Sequence, residues 1–375
     1  MKPLGIYLHI PFCRSKCLYC DFCSLPARSA ETIDIYVTAL CREIAGKKEP
    51  CAEHSVQTIY FGGGTPTLLS ARQLEKIMET IRNSFSLEAD CEISAECNPK
   101  TGSKELFSAM RSIGFNRLSI GLQSAHENEL RALGRTHDFN GFVKTWNEAR
   151  EVGFENLNAD VMFGIPYQTE RSFAETLKKL IPLSPEHLSA YALTLEEGTP
   201  LCRLAEKLPF PSEEETANMY LQTVDFLNEN GLKQYEISNF ARRGYQSRHN
   251  RKYWDMEEYL GFGVAAYSDF GGERFGNSRD LDAYLRGEEI CEERGIPSEK
   301  ERENEYVMLQ MRLAEGLKKK AFAKRFEHSA DVFFAKLQPW IEKGYVKVTA
   351  EGAAFTPKGF LISNTVLSEI VEFEK

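Results

Sequence analysis

Three cysteines near the start of the chain, Cys13, Cys17 and Cys20, stand in a C-x3-C-x2-C spacing directly after an apolar run at 6–10. Thiols this close in sequence can converge on one inorganic centre. A cubane of four irons needs four outer ligands, so three cysteines leave one iron open to a small molecule, and that iron is where chemistry would start. Structural zinc is the competing reading, but it is normally closed by four protein ligands arranged as two paired knuckles. No second C-x2-C pair occurs downstream, although a fourth thiol follows at Cys23 and keeps zinc open.

Other residues able to do chemistry fall at the ends of strand-like runs. Gly62-Gly-Gly64-Thr65 would let a ligand approach backbone amides and carbonyls, while Glu96, Gln123 and Asp160 offer acceptors for ammonium and ribose hydroxyl groups. A plain turn for the glycines, and a helix cap or ion pair for each carboxylate, are the commoner roles of such residues taken singly. Further on, 235–275 is dense in aromatic residues and glycine, as the wall of a flat apolar ligand would be. There His249 can offer a neutral imidazole to iron, and Arg242, Arg243, Arg248, Arg251 and Lys252 can pair with propionates. The alternative is that His249 and Asn250 cap a loop over the fold and the aromatics are core.

These groups need a scaffold that brings strand ends together. Short β-rich runs at 6–10, 58–61, 92–95, 117–121, 157–162 and 188–193 alternate with helical stretches such as 34–47 and 71–84, the signature of βα units and a parallel sheet. The expected fold is α/β, an incomplete (β/α)6 barrel with the reactive groups on the C-terminal edge of the sheet. A doubly wound sheet suits the strand number too, but its G-x-G-x-x-G fingerprint is missing. The expected division is 1–230 for the barrel, 231–295 for an extension of it, and 296–375 for a small winged-helix-like α+β domain. An acidic run at 288–305 marks the last boundary, where Ser298-x-x-Glu301 reads as a capping box. In that last domain Ser329 is expected to cap a helix, and the basic residues Lys318–Lys320, Lys324 and Arg325 read as a solvated or docking face.

The 375 residues are 42% hydrophobic and 27% charged, as in an ordinary globular protein. No signal peptide or membrane span is apparent, so a cytoplasmic location is expected, where ten cysteines read as metal ligands plus buried thiols. Cys41, Cys91, Cys97, Cys202 and Cys291 have no motif spacing and are taken as packing residues. The net charge of −9 repels phosphate backbones and weighs against nucleic acid as a partner.

Taken together, the motifs resemble those of the radical S-adenosylmethionine (SAM) enzymes, in the HemN/HemW group that holds oxygen-independent coproporphyrinogen III dehydrogenases and heme chaperones. The resemblance spans nearly the whole chain and rests on Tyr7-x-His9-Ile-Pro-Phe-Cys13-x3-Cys17-x-Tyr-Cys20, Gly62-Gly-Gly-Thr-Pro-Thr67, Glu96-x-Asn-Pro99, Gly121-Leu-Gln123-Ser124, Leu133-Gly-Arg135 and Asp160-x3-Gly164-x-Pro166. It implies that Cys13, Cys17 and Cys20 ligate a 4Fe-4S cluster whose open iron is chelated by SAM. It further implies that Tyr7, Gly63 and Glu96 hold that SAM, and that Tyr19, Gly64, Thr65, Gln123, Arg135 and Asp160 match positions that hold a second SAM in the dehydrogenases. Ser247-Arg-His249-Asn-Arg-Lys-Tyr253-Trp254 resembles the H-N-x-x-Y-W motif of the chaperone branch, in which the histidine is associated with heme. Only twelve residues precede Cys13, where the dehydrogenases carry a longer substrate-enclosing segment, so the resemblance favours the chaperone branch over porphyrinogen decarboxylation. The partners it implies are heme and the apo-hemoproteins of the respiratory chain, met at the membrane surface.

The spacing generates the first prediction. Anaerobically purified protein should hold about four irons per chain. Replacing any one of Cys13, Cys17 or Cys20 by alanine should remove them, and Cys23→Ala should leave iron content near the parent value in a colorimetric assay.

Overall fold

The computed structural model describes residues 1–26, 29–288 and 291–372; residues 289 and 290 of the acidic run lie outside the described residues. The six expected strands form in the expected order, the first five longer than expected and the sixth of equal length but starting one residue earlier: β1 Lys2–Ile10, β2 His54–Gly63, β3 Ser86–Cys97, β4 Arg117–Gln123, β5 Asn156–Phe163 and β6 His187–Ala192. All six pair in parallel. The helices between them are α1 Ala30–Ala45, α2 Ala71–Ser84, α3 Lys104–Ile113, the short α4 Glu127–Ala132, α5 Phe139–Glu151 and α6 Glu170–Leu180. The apolar stripe of α2 behaves as its spacing predicts, with Leu74, Ile77, Met78 and Ile81 buried beneath a Ser70/Gln73 capping box.

Strand periodicity sorts the side chains into two environments. In β1, Leu4, Ile6, Leu8 and Ile10 are fully buried in the apolar core, while Gly5, Tyr7 and His9 take the opposite face. The same alternation gives the barrel a polar interior. Register aligns that lining into tiers: Tyr7, Tyr60, Ser94, Arg117 and Asn156 are successive neighbours across β1 to β5. Glu96, Ser119, Asn158 and His187 form the next tier, and Gly121, Asp160 and Ser189 the one above it.

The sheet is wider than the six strands. Beyond the helices α7 Pro200–Leu204 and α8 Glu213–Glu229 it gains β7 Lys233–Gln234 and β8 Asn239–Ala241 at one edge. After helix α9 Arg248–Trp254 it gains β9 Tyr259–Phe262, β10 Tyr267–Phe270 and β11 Glu273–Asn277, and after helix α10 Leu281–Arg286 it gains β12 Cys291–Gly295. The resulting order is β12-β11-β10-β9-β1-β2-β3-β4-β5-β6-β8-β7, with β9 parallel to β1 and the strands outside it antiparallel. The 231–295 extension is thus part of the same sheet at both edges. Several of its aromatics, read from the sequence as a ligand wall, are core instead: Tyr235, Phe240 and Phe262 are buried. Cys202 and Cys291, expected to be packing residues, are only half-buried, whereas Cys41, Cys91 and Cys97 are in the core.

The last domain starts at the Ser298/Glu301 capping box of α11 Glu299–Met311 and continues with β13 Leu317–Lys318, α12 Lys319–Phe326, α13 Asp331–Glu342, β14 Val346–Val348, β15 Gly352–Phe355, α14 Pro357–Leu361 and α15 Ser363–Ile370. The three strands form one antiparallel sheet in the order β13-β15-β14. Ala330, not Ser329, is the N-cap of α13, though the Ser329 hydroxyl still accepts from the Asp331 amide at 3.2 Å. Arg325 docks the domain by donating to the Met256 carbonyl at 2.9 Å, and Arg251 pairs with both Asp255 and Glu315 at 3.1 and 2.7 Å. No helix among the described residues is long and apolar enough to cross a membrane.

Helix α9 closes the N-terminal mouth of the barrel. Its first amides, those of Arg248 and His249, both donate to the carboxylate of Glu92 at 3.1 Å, so an anion sits where the helix dipole is positive. The same carboxylate acts on Arg117, which is 2% exposed and, among the described residues, makes no side-chain hydrogen bond and has its Nε buried without a partner. Burial alone would lower that guanidinium's pKa; the charges of Glu92 and Asp160 and the Tyr60 and Tyr235 phenols outweigh it. Glu92→Gln should therefore destabilise the fold by about 3 kcal/mol, because it strands a buried charge and removes the charged acceptor of two helix amides. A urea titration should show a lower midpoint at unchanged slope.

Candidate cluster and cofactor site

The cysteine loop is held at the C-terminal mouth by backbone bonds to distant segments. Leu18 donates to the Leu133 carbonyl at 3.0 Å and accepts from Leu201 at 2.8 Å, while Leu25 donates to Pro11 at 2.7 Å. Gly134 permits this approach, since a Cβ there would lie 2.9 Å from the Leu18 side chain and its φ is +72°. Each of the three thiols has a polar neighbour on its sulfur. Thr65 Oγ1 donates to Cys13 at 3.5 Å, Arg135 Nη1 donates to Cys17 at 3.4 Å, and Ser24 Oγ lies 3.7 Å from Cys20. Burial raises the Cys13 thiol pKa, with Cys20 and Cys17 adding to it and the Thr65 and Ser24 hydroxyls opposing.

This donor set fits a cubane. Among the described residues no three His, Cys, Asp or Glu side chains converge to hold a single metal ion, whereas a cubane takes its thiolates at separate corners. Cys23 stands apart from the three. Its carbonyl accepts from His9 Nε2 at 2.7 Å, and its thiol lines a different cavity beside Tyr253 and Tyr267.

The glycine loop does a different job from the one its sequence suggests. Its Gly64 and Thr65 amides donate to the carbonyls of Ile10 and Phe12, both at 2.8 Å, and so stitch β2 to the cysteine loop and are not offered to a ligand. A Cβ on Gly64 would lie 2.7 Å from the Phe12 carbonyl, and one on Gly63 would lie 2.6 Å from the His9 ring. A Cβ on Gly62 would lie within 3.2 Å of Tyr60, Tyr7 and Glu96, so the glycine lets those three side chains close on one point.

Glu96 accepts from the Tyr60 hydroxyl at 3.1 Å. Burial, then the neighbouring Asp160 charge, pushes its carboxyl up to about 7. Asp160 accepts from Ser119 Oγ at 3.0 Å and from Asn158 Nδ2 at 2.7 Å; burial raises its pKa, and the Ser119, Ser189 and Asn158 bonds hold it back. Gln123 has a left-handed backbone, φ 70°, at a register break in β4. Its side chain and Arg135 occupy the space that a side chain on Gly121 would need. Arg135 Nη2 donates to the Gly121 carbonyl at 2.8 Å, and its Nε is buried with no partner. The Tyr19 hydroxyl completes the group, its pKa raised by burial and by Cys17, Cys20 and Asp160 against the pull of Arg135. Tyr7 closes the other side, its hydroxyl 3.1 Å from His9 Nδ1. Cys13, Cys17, Cys20, Tyr7, Tyr19, Thr65, Glu96, Gln123, Arg135 and Asp160 thus gather at one end of the barrel, where carboxylates, an orphaned guanidinium nitrogen and thiols face each other.

His249 lies beneath this group on the side of the N-terminal mouth, 1% exposed, stacked on Tyr60 and Tyr7 at centroid distances of 5.2 and 6.5 Å. Both ring nitrogens are engaged, Nδ1 with Thr58 Oγ1 and Nε2 with the Tyr253 hydroxyl, each at 2.8 Å. Burial lowers its pKa to about 3, with Lys252 and Arg117 adding to the shift. As placed here, the ring offers no free lone pair to a heme iron. Four of the five cations expected to pair with propionates are also spent on protein groups: Arg242 on Pro185, Arg248 on Asp90, Arg251 on Asp255, and Lys252 on Gln57 and Glu257; Arg243 is exposed, with no ion pair or hydrogen bond among the described residues.

The sequence reading missed Arg117, Ser119, Asn158 and His187. Asn158 bridges Ser119, Asp160 and Ser189, and its Oδ1 meets His187 Nδ1 at 2.6 Å, while His187 Nε2 meets the Tyr235 hydroxyl at 2.8 Å. The signal for them was a polar residue at every second position of strands whose other residues are apolar.

Comparison with known proteins agrees with this architecture. The radical SAM superfamily model matches residues 7–180, and the HemN C-terminal domain model matches 298–362. The heme chaperone HemW of Bacillus subtilis is 35% identical over 96% of this chain and 97% of its own length. That of Escherichia coli is 32% identical over 98% of each. The structure of the coproporphyrinogen III oxidase HemN from Escherichia coli, a radical SAM enzyme, superimposes with a TM-score of 0.87 at 27% identity, covering 100% of this chain and 91% of that one.

The Glu96 environment sets the expected behaviour of the site. Glu96→Gln and Asp160→Asn should weaken SAM binding to the cluster-loaded protein roughly 10- to 100-fold, the loss of one charge-assisted hydrogen bond, without unfolding it. Because a carboxyl raised to about 7 must lose its proton to accept an ammonium group, SAM affinity should rise from pH 6 to pH 8 in the parent and be flat in Glu96→Gln. The linked stability runs the other way. With a folded pKa above the unfolded value of 4.5, the Glu96 contribution is fully present below pH 4.5 and is lost as pH rises through about 7. Calorimetry of binding and of melting checks the two together.

Proposed function

The chain belongs to the HemW family within the radical SAM superfamily, and we propose that it is a heme chaperone that binds heme and passes it to apo-hemoproteins. The observation that carries this reading is the match to heme chaperones over nearly the whole chain. A radical SAM protein uses a 4Fe-4S cluster and SAM, which when bound supply one-electron chemistry.

The chain's own residues divide that work. Cys13, Cys17 and Cys20 would hold the cluster; Thr65 and Arg135 donate to two of those sulfurs and tune them. Tyr7, Gly63 and Glu96 would hold the SAM at the open iron, with Glu96 as the ammonium acceptor and Asp160 as an acceptor for ribose hydroxyls. The orphaned Arg135 Nε, together with Tyr19, Gly64, Thr65 and Gln123, would border a second ligand in the same mouth. Burial of that mouth keeps water from the reacting groups. The heme recipients in this reading are apo-proteins of the respiratory chain met at the membrane surface, with the carrier itself in the cytoplasm and not oxidising porphyrinogen.

Two assays on one reconstituted sample test the reading. Heme loaded onto the protein should transfer to a respiratory apo-cytochrome, and coproporphyrinogen III should be left unconverted in the presence of SAM and reductant. Efficient decarboxylation of coproporphyrinogen III would replace the chaperone reading by the dehydrogenase one.

A further inference from the structure

Heme needs a flat apolar slot, a donor atom for the iron and a cation for a propionate, and His249 as placed provides none of these. A second cavity does. It lies between the cysteine loop and the antiparallel edge of the sheet, measures about 300 Å³ and is lined by Phe22, Cys23, Tyr253, Tyr259, Tyr267 and Arg279 among others. That volume is at the lower end for small-molecule sites, which suits a macrocycle inserted by one edge with the rest left for a recipient.

Five observations point to such a ligand. Phe22 on the cysteine loop is a large aromatic exposed at 68%, an unusual placement unless something covers it, and Tyr267 on β10 lines the same cavity. Gly276 leaves room for the Tyr267 ring, since a Cβ there would lie 2.5 Å from it. Arg279 is exposed and makes no ion pair or hydrogen bond among the described residues, yet it is near enough to act on both His9 and Cys23. The Cys23 sulfur is half-buried, makes no hydrogen bond among the described residues, and does not join the three cluster thiols. Ala265, with a left-handed backbone at φ 55°, is also in the lining, and such local strain concentrates at binding sites.

We propose that heme binds in this cavity, its ring against Phe22 and Tyr267, its iron ligated by the Cys23 sulfur and one propionate paired with Arg279; the assignment rests on the heme-chaperone reading. On ligation the thiol gives its proton to solvent and forms one coordinate bond to ferric iron, with no change of oxidation state. His9 also lines the cavity, but its ring nitrogens are taken by Tyr7 and Cys23. Asp21 is the carboxylate in the lining, so one propionate meets a cation and the other is left toward solvent. The H-N-x-x-Y-W motif contributes through Tyr253, whose ring forms part of the wall, packs edge-on to Tyr259 at 4.7 Å and is held from behind by His249. His249 is then a positioning residue.

The experiment is an anaerobic hemin titration of the cluster-loaded full chain, followed by absorbance and electron paramagnetic resonance, with iron–sulfur content measured on each variant. Arg279→Glu and Tyr267→Ala change exposed residues and should each weaken heme at least tenfold with the cluster intact. Cys23→Ser and Cys23→Ala should both lose the thiolate signature of the bound ferric heme. His249→Gln should lower occupancy while keeping that signature. Parent-like affinity in Arg279→Glu and Tyr267→Ala overturns the cavity, and an unchanged spectrum in both Cys23 variants overturns the ligand, while the chaperone reading stands. A parent protein that takes up no heme overturns the chaperone reading itself and this assignment with it.

Discussion

Burying charge inside the barrel is the constraint on which the rest of the structure depends. Glu92, Glu96, Asp160 and Arg117 share an interior in which an unpaired ion would cost several kcal/mol. The fold meets that cost with fixed dipoles and hydroxyls: the α9 amides on Glu92, Tyr60 on Glu96, and Ser119 and Asn158 on Asp160. Arg117, which has no direct partner, is stabilised by the field of these carboxylates. The arrangement is asymmetric along the barrel axis. At the N-terminal mouth the carboxylate is satisfied by a helix and the mouth is shut; at the C-terminal mouth Glu96 has the Tyr60 hydroxyl and the Gly63 amide, and its pKa is still raised by burial and Asp160.

That asymmetry places the cluster loop. The loop has little regular structure of its own, so its geometry comes from what it is tied to: Leu133 and Leu201 across the mouth, Pro11 at its base and the Gly64–Thr65 amides from β2. Two of the tethering segments also carry the donors to the Cys13 and Cys17 sulfurs, Thr65 and Arg135. Any shift of these segments would therefore be felt at the sulfurs, and through them in the cluster's potential. Glycines at 62, 63, 64 and 134 serve close approach of side chains and backbones more than ligand access.

The edge strands β9 to β12 extend the sheet past β1 and form the wall of the second cavity, next to the cysteine loop. Tyr7 borders both regions, with its hydroxyl on His9 and its ring on Tyr60. A ligand there and a ligand at the cluster would share that wall. The H-N-x-x-Y-W stretch links the plug to the cavity wall, since His249 in the plug and Tyr253 at the cavity are four residues apart on one helical face.

By itself the sequence determined the barrel, the three-thiol set and most of the polar mouth. Alternating βα periods dictate a parallel sheet, parallel sheets place their functional loops on one edge, and the residues at those strand ends were Glu96, Gln123 and Asp160. These are local rules, and period and spacing express them directly. What tertiary structure alone decided is which polar residues spend their bonds on the protein. His249, Arg248 and Lys252 look like ligand groups in one dimension, but Thr58, Glu92, Asp90 and Gln57, more than 150 positions away, claim them. Conversely, Arg279 carries no distinguishing spacing and Cys23 reads only as a fourth thiol of the cysteine run; the two come together because β9 pairs beside β1. A side chain's availability depends on the full set of partners within about 3 Å of it, and long-range register supplies those partners.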